Sequence, residues 1–230
     1  MPGKIDPHRL LVLMAKNPVP GRTKTRLIRA LGEEGAAGLY DAFLHDKVVQ
    51  MRLVPGVTPA VAYYPPDGRD YFSELVPDFV LIEQRGNSLA ERLERVFSDS
   101  FSDGFGSVIA IDGDTPHLPD EYLQAGFAAL EDGSSDVVIG PCEDGGYYAI
   151  GLKQPHGSLF HVQMSTPHVT RETRRIAEEA GLVVHLLPEW WDIDELPDLK
   201  RLARLMREEE TRGGLPPSVT QNFLNELPVV

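Results

Sequence analysis

Short apolar runs alternate along the chain with stretches in which apolar residues recur at helical spacing. The runs predicted as strands are 9–15, 57–64, 79–84, 107–112, 136–140 and 182–187. The segments predicted as helices are 33–54, 88–101, 120–132, 168–181 and a last long helix marked by Leu199, Leu202 and Leu205. Strands that alternate with helices favour a mainly parallel sheet covered on both faces. The pattern therefore predicts a single-domain, three-layer α/β/α fold.

One strand and two helix starts are predicted from local signals. The run GGYYAIGL at 145–152 follows the preceding strand too closely for a crossover helix, so it is predicted to pair antiparallel, which makes the sheet mixed. Ser88, three residues before Glu91, supplies a capping box for the helix that follows. Thr166 as N-cap, with Pro167 at the first helical position, is predicted to open the helix at 168–181.

The stretch RGGLPPS near residue 215 is typical of a linker. It predicts a main domain over 1–213 and a tail over 214–230. Val219, Phe223 and Leu227 give the tail a short amphipathic helix, which is expected to dock on this subunit or on a neighbouring one in a homodimer.

Composition narrows the class of protein. The formal net charge of -13 over 230 residues argues against a nucleic-acid binder, which would present a broadly basic face. A single cysteine excludes an intramolecular disulfide framework and fits a reducing cytoplasm. No apolar run approaches the roughly 20 residues that span a bilayer. We expect a cytoplasmic protein that binds neither nucleic acid nor membrane.

Against this acidic background, positive charge gathers in the loop after the first strand. Five cations and no carboxylate lie between residues 16 and 29. Lys16, Arg22, Lys24 and Arg26 could cradle a triphosphate or the diphosphate of a nucleotide sugar, and Gly21 would let the backbone come close. A solvated basic turn is the alternative. The mononucleotide-binding pattern G-x-x-x-x-G-K-[ST] does not fit, because Lys24 follows the single glycine of the loop by three residues.

Two D-x-D pairs follow predicted strands. Asp112 ends the run SVIAID and Asp114 follows two residues later, at the end of the fourth predicted strand. Asp192 and Asp194 precede the last helix. Side chains two residues apart in an extended segment lie on one side, and carboxylate oxygens suit Mg²⁺ or Mn²⁺. An aspartate-rich turn at the first pair and an N-cap role for Asp194 are the alternatives.

The segment GPCEDGGYYAIG is a third candidate site. Gly145 and Gly146 permit a tight turn close to a ligand, and Glu143 or Asp144 could bind acceptor hydroxyls or act as a general base. A hairpin turn of the Asp-Gly type is the alternative. Cys142 has no basic activator in the sequence and is interpreted as structural.

Aromatic residues and a histidine lie near these candidate sites. His117 is next to the first D-x-D pair, and the histidines show no spacing typical of a metal site. Trp190 and Trp191 are predicted to pack as a lid or as a wall of the core.

With these motifs in place, the chain resembles the nucleotide-diphospho-sugar transferase superfamily, which has the glycosyltransferase-A fold. Within it, the chain is similar to a bacterial glycosyltransferase A-like group related to 2-phospho-L-lactate guanylyltransferase. The resemblance runs from about Leu10 to Leu205 and includes AKNPVPGRTKTRL, SLAERL, IDGDTPHLP, GPCEDGGYYAIGL and DIDELPDL.

The resemblance implies a nucleotide at the first loop, a divalent metal on Asp114 and on the pair Asp192 and Asp194, and an acceptor near Asp144. The chain departs from sugar nucleotidylyltransferases in one motif. It has P-G-R-T-K-T-R where they carry G-x-G-T-R, so cationic side chains would replace the glycine-rich contact.

Our functional hypothesis is a metal-dependent transferase that uses a nucleotide sugar or a nucleoside triphosphate together with a small-molecule acceptor. Asp114, Lys24, Arg26 and Asp144 are the candidate catalytic residues: the metal would bridge the phosphates, the cations would neutralise the leaving group, and Asp144 would act as base in a glycosyl transfer. Glycosyl transfer and nucleotidyl transfer share this apparatus. The alternative is a non-catalytic nucleotide-binding or regulatory protein that retains the fold.

Overall fold

The computed structural model describes residues 8–211 and 218–227. The strands are β1 (Arg9–Lys16), β2 (Thr58–Tyr64), β3 (Val80–Glu83), β4 (Ser107–Ile111), β5 (Val137–Pro141), β6 (Tyr147–Leu152) and β7 (Val184–Leu186). The helices are α1 (Ile28–Leu53), α2 (Arg69–Leu75), α3 (Leu89–Ser102), α4 (Asp120–Glu131), α5 (Val169–Glu179), α6 (Leu196–Thr211) and α7 (Ser218–Asn225). Short 3₁₀ turns cover Thr25–Leu27, Pro66–Gly68 and Gly157–Phe160.

All seven strands form one sheet in the order β3-β2-β1-β4-β6-β5-β7. Strand β6 is antiparallel to both of its neighbours, β4 and β5, while the other pairs are parallel. The prediction of a mixed sheet with an antiparallel addition at 145–152 is confirmed. The carboxyl ends of β1, β2, β3 and β4 therefore share one edge, where ligands bind in open α/β sheets.

Helices cover both faces of the sheet, because side chains alternate across each strand. Leu11 and Leu13 of β1 belong to the core cluster under α1, α2, α4 and α6. Leu10 and Val12 belong to the cluster under α3 and α5. Both clusters are buried, which explains why β1 reads as a continuous apolar run and confirms the three-layer α/β/α prediction.

The two predicted helix starts had different outcomes. Ser88 is the N-cap of α3 and accepts a hydrogen bond from the Glu91 amide at 3.1 Å, which confirms the first. The second is wrong: α5 begins at Val169 with His168 as its N-cap. The hydroxyl of Thr166 donates to the Gln163 carbonyl instead.

Tertiary packing explains the late start of α5. The backbone of Gly145, in the turn between β5 and β6, lies directly against the Pro167 carbonyl. Thr170 donates from its amide to Gly145 and from its hydroxyl to Gly146. These contacts hold residue 167 against the turn, so the helix begins after it.

Helix α7 docks on α1 of the same chain. The Asp46 carboxylate accepts hydrogen bonds from the amides of Val219 and Thr220, at 3.1 and 2.7 Å. The Phe223 ring packs on Gly38, and Leu224 is buried while Val219 is partly exposed. The predicted linker falls almost entirely in 212–217, outside the described residues, so the domain boundary at 213 stays a prediction.

None of the helices in residues 8–211 and 218–227 combines the length and the apolarity that a membrane span requires.

Candidate active site

A cleft of about 410 Å³ opens at the carboxyl edge of the sheet. Polar lining residues come from the loop after β1, the D-G-D loop after β4 and the segment before α6, and apolar lining residues come from the sheet and from α3. Its lining includes Met14, Lys16, Arg22, Lys24, Arg26, Tyr40, Leu89, Leu93, Ile150, Asp112, Asp114 and Asp194. The structure therefore brings the basic loop and both D-x-D segments to one place.

The basic loop has a fixed internal structure. The buried Thr23 hydroxyl accepts from the Val19 amide at 3.1 Å and lies 3.2 Å from the Asn17 carbonyl. Gly21 has a positive φ of 75° and packs beside the Glu33 carboxylate. Lys24 follows in the left-handed region, with φ 47°. This conformation is unusual for a residue with a side chain, and it directs Lys24 inward.

Lys24 joins the two D-x-D segments. Its side chain is 5% exposed, and its ammonium lies 2.7 Å from Asp114 Oδ1 and 3.0 Å from Asp194 Oδ1. It also donates to the Ile193 carbonyl at 2.5 Å. Burial by itself would lower the pKa of Lys24, but the charges of Asp114 and Asp194 outweigh burial and raise it. Lys24 is therefore charged at neutral pH.

The other cations of the loop are more exposed. Arg26 Nη1 lies 3.1 Å from Asp194 Oδ2, with its side chain mostly in solvent. Burial would raise the pKa of Asp194, but Lys24 and then Arg26 hold it below its ordinary value. Lys16 and Arg22 line the same cleft and are exposed. The alternative of Asp194 as an N-cap fails, because its carboxylate is directed to these cations.

Asp112 and Asp192 are D-x-D carboxylates whose pKa values are raised by burial. Asp112 accepts a hydrogen bond from the Thr115 hydroxyl at 2.5 Å, and its burial raises its pKa. Burial, followed by the charges of Asp194 and Asp144, raises the pKa of Asp192 to about 6. Carboxylate oxygens from Asp192 and Asp144 lie within 4.8 Å of each other and of the Cys142 sulfur.

The carboxylates of the two D-x-D pairs are oxygen donors of the kind that a hard divalent cation binds, although among the described residues only Cys142, Asp144 and Asp192 bring three potential ligand atoms within 4.8 Å of one another. After burial, the charges of neighbouring aspartates help to raise the pKa values of Asp112 and Asp192, so negative charge is concentrated in this region. A second positive charge beside Lys24 would offset this negative charge, and oxygen ligands are those that Mg²⁺ and Mn²⁺ prefer.

The third candidate segment forms the turn between β5 and β6. Glu143 makes a bidentate ion pair with Arg201, at 2.7 and 2.9 Å, and this pairing lowers the pKa of Glu143. Asp144 Oδ1 accepts from the Gly146 amide at 2.7 Å, and Gly145 has a positive φ of 89°. The segment forms a hairpin turn, which was the alternative to an acceptor-binding site in the sequence analysis. Among the described residues, Glu143 to Gly146 are not part of the cleft lining.

Three further buried side chains, Cys142, His117 and Trp191, lie outside the cleft lining. Cys142 is buried, which raises its pKa and agrees with its interpretation as structural. Trp191 is buried, which fits a wall of the core, and lies 4.1 Å from the His117 ring and 4.1 Å from the Arg201 guanidinium. Both ring nitrogens of His117 are buried without a hydrogen-bond partner among the described residues. Burial, followed by the charges of Lys47 and Arg201, lowers the pKa of His117 to about 3.

Helix α1 supplies site residues that the sequence interpretation missed. The Tyr40 hydroxyl accepts from the Lys16 amide at 3.3 Å and packs against Gly113. About two helical turns further along the same face of α1, Lys47 is fully buried beside Thr115. The available signal was a lysine on the apolar stripe of a predicted helix.

Comparisons with known proteins agree with this picture. Residues 47–166 match the model of a family described as "Uncharacterized protein conserved in bacteria (DUF2064)". A crystal structure described as a "putative nucleotide-diphospho-sugar transferase" from Desulfovibrio desulfuricans G20 superposes with a TM-score of 0.86 and 29% identity, over 95% of this chain and 94% of that chain. No curated protein matches.

More distant structures share the fold alone. The 4-diphosphocytidyl-2C-methyl-D-erythritol synthase from Anaerococcus prevotii DSM 20548 has a TM-score of 0.59 at 9% identity, over 88% of this chain and 98% of that chain. A CMP:2-keto-3-deoxy-manno-octonic acid synthetase complexed with CTP has a TM-score of 0.53 at 14% identity, over 87% and 99%. The resemblance and the fold predicted from the sequence are confirmed.

Proposed function

We propose that this protein transfers a nucleotidyl group from a nucleoside triphosphate to the phosphate of a small acceptor. The chain belongs to the DUF2064 family of bacterial proteins and is a transferase of the nucleotide-diphospho-sugar transferase fold. One observation carries this proposal. Lys24 is buried at the base of a cleft whose rim bears Lys16, Arg22 and Arg26. An acidic protein that concentrates cations around a phosphate-sized space is suited to a polyphosphate.

The shape of the cleft supports a nucleotide as the ligand. Its lining also includes the apolar side chains of Met14, Leu89, Leu93 and Ile150. A base or ribose ring can pack there while the phosphates lie on the cations, as in most small-molecule sites, where a few polar groups orient a ligand held by apolar contacts. The neighbour from Desulfovibrio desulfuricans is described as acting on nucleotide-diphospho-sugars, and another neighbour holds CTP.

The proposed reaction is an in-line displacement at phosphorus. An oxygen of the acceptor phosphate attacks the α-phosphorus, and the bond between the α-phosphorus and the bridging oxygen breaks. Pyrophosphate leaves with the electron pair, and Lys24, Arg26 and Arg22 stabilise its added charge. Asp112, Asp114, Asp192 and Asp194 would hold Mg²⁺ or Mn²⁺, which when bound supplies further charge neutralisation.

Nucleotidyl transfer is favoured over glycosyl transfer by the state of the candidate bases. An acceptor phosphate is already anionic and needs no general base, whereas an inverting glycosyl transfer to a hydroxyl does. Glu143 is committed to Arg201, and Asp144 is committed to the hairpin turn. Glycosyl transfer is therefore the second candidate reaction, and the following test distinguishes the two.

The test has two stages. Thermal melting with each nucleoside triphosphate and with nucleotide sugars, with and without Mg²⁺ or Mn²⁺, identifies the ligand, since a ligand that binds the native state raises the midpoint. Incubation with a panel of sugar phosphates and other phosphorylated acceptors then decides the chemistry. Release of pyrophosphate supports the proposal, and release of a nucleoside diphosphate indicates glycosyl transfer. Metal-dependent binding without turnover of any acceptor would favour a regulatory nucleotide-binding protein.

A further inference from the structure

Lys47 is a fully buried lysine on α1 that the proposed reaction does not use. Its ammonium donates to Gln50 Oε1 at 2.9 Å and lies 3.4 Å from both the carbonyl and the hydroxyl oxygen of Thr115. All of these contacts are with neutral groups.

The contacts of Lys47 lead directly to the candidate metal site. The Thr115 hydroxyl that faces the ammonium donates its own hydrogen to Asp112 Oδ1, at 2.5 Å. Beside it, Gln50 Nε2 donates to the Leu118 carbonyl and to Asp120 Oδ1. One face of α1 therefore binds the loop after β4 at residues 115 and 118, and the first residue of α4 at 120. This loop includes the D-G-D element and forms one wall of the cleft.

A purely structural role would not need a cation at this position. Removing an ammonium from water is costly, and a methionine or leucine fills a similar volume without that penalty. Burial lowers the pKa of Lys47, and the charges of Asp112, Asp120 and Asp114 oppose this effect from a distance, with Asp112 the strongest. In a low-dielectric interior such an interaction remains strong over several ångströms.

We propose that Lys47 is a positioning residue that holds the Asp112 carboxylate in place through Thr115. The ammonium polarises the Thr115 hydroxyl and keeps its oxygen turned toward α1, so that its hydrogen points to Asp112. Asp112 then presents its second oxygen to the cleft in one orientation. The inference rests on the proposed function only where it treats Asp112 as a ligand of the divalent cation.

Three variants isolate the relay from simple packing. Lys47→Met removes the charge, and Thr115→Val removes the hydroxyl with little change of volume. Thr115→Ser is the conservative variant that keeps the hydroxyl. Asp46→Asn is the matched control. Asp46 is the buried neighbour of Lys47 on α1, but its carboxylate accepts hydrogen bonds from the first amides of α7.

Two readouts are measured on the full chain. Mn²⁺ affinity is measured with Mn²⁺ alone, from the electron paramagnetic resonance signal of the free ion. Hydrogen exchange is measured by mass spectrometry for peptides that cover 112–118 and 218–225. We expect Lys47→Met and Thr115→Val to weaken Mn²⁺ binding at least five-fold and to speed exchange over 112–118 about ten-fold. We expect Thr115→Ser to stay within two-fold of the wild type, and Asp46→Asn to change exchange only over 218–225.

The outcomes separate the two proposals. Wild-type Mn²⁺ affinity and exchange in Lys47→Met, or equal losses in Asp46→Asn and Thr115→Ser, would overturn the role of Lys47. If Lys47→Met does not fold, the contrast between Thr115→Val and Thr115→Ser decides the relay. If the wild-type protein binds no Mn²⁺, the metal step of the proposed function fails, and the exchange of 112–118 alone decides whether Lys47 positions the loop.

Discussion

Lys24 Nζ lies 3.0 Å from Asp194 Oδ1, although 170 residues separate the two in the chain. The same ammonium contacts Asp114, so a single buried cation ties the first loop of the fold to the D-G-D loop and to the segment before its last long helix. The contact closes the cleft along its base. It explains how an acidic chain can gather negative charge from two segments at one edge of its sheet.

Replacing Lys24 by methionine tests the importance of this contact. We expect Lys24→Met to lower the turnover of the nucleotide substrate by about 100-fold, because a charge aimed at the developing negative charge of the leaving group is lost. The measurement is pyrophosphate release under saturating substrate. Arg29→Met is the matched control, since Arg29 belongs to the same basic run but is not part of the cleft lining among the described residues. Equal losses in the two variants would contradict a specific role for Lys24.

Gly113 is predicted to be intolerant of a side chain because of Tyr40. A Cβ atom at position 113 would lie 2.8 Å from the Tyr40 hydroxyl, whose ring is buried and cannot move aside. We expect Gly113→Ala to lower the free energy of unfolding by about 1 to 3 kcal/mol, the usual cost of overpacking. Removing that oxygen in Tyr40→Phe should recover part of the loss in the double variant. Urea denaturation of the four proteins forms a double-mutant cycle, and strict additivity would contradict the clash.

His117 should make the stability depend on pH. Its pKa falls from 6.5 to about 3 on folding, so between these values the unfolded chain binds a proton that the folded chain does not. The free energy of unfolding therefore rises with pH across this window. The contribution of His117 to stability decreases by about 1.4 kcal/mol per pH unit as the pH falls below 6.5. Asp192, with a raised pKa, contributes with the opposite sign.

The variant His117→Leu isolates the histidine contribution. Urea denaturation at pH 7.5 and pH 5.5 should show that the wild type loses about 1.4 kcal/mol more than the variant between the two conditions. The contribution of Asp192 is present in both proteins and cancels in the difference. Parallel losses in the two proteins would show that His117 is not buried in its neutral form.

Asp46 should stabilise α7 as the cap of its first turn. Its carboxylate accepts from two amides of α7, so Asp46→Ala should lower the free energy of unfolding by about 0.5 to 2 kcal/mol. Hydrogen exchange should quicken over 218–225 and stay unchanged in β1 and β4. Exchange that quickens throughout the chain would indicate that α7 is an integral part of the core.

Most of the order of strands and helices follows from local pattern, and so does much of the site, but the short helix α2 (Arg69–Leu75) was not predicted. Apolar runs, the short connection before β6 and the Ser88 cap were sufficient, because each depends on residues close in sequence. The convergence of the basic loop with Asp114 and Asp194 also follows, since loops after parallel strands share an edge. The roles predicted for these residues in metal and nucleotide binding stay predictions.

What the sequence could not predict depends on contacts between distant segments. The start of α5 is set by the packing of Gly145 on Pro167, which no local capping signal contains. The commitment of Glu143 to Arg201 joins residues 58 positions apart. The position of Lys47 on the apolar stripe of its helix was a signal of burial, but its contact with Thr115, 68 residues away in the chain, was not predictable.

Because β6 lies between β4 and β5, strands β5 and β7 are joined to the parallel strands β1 to β4 through a single antiparallel strand. The connection from β5 to β6 is local in the sequence, so forming this hairpin has a low cost in loop closure. Asp192 and Asp194 follow every strand of the sheet in the chain, so during synthesis they leave the ribosome after all of the strands beneath the pocket.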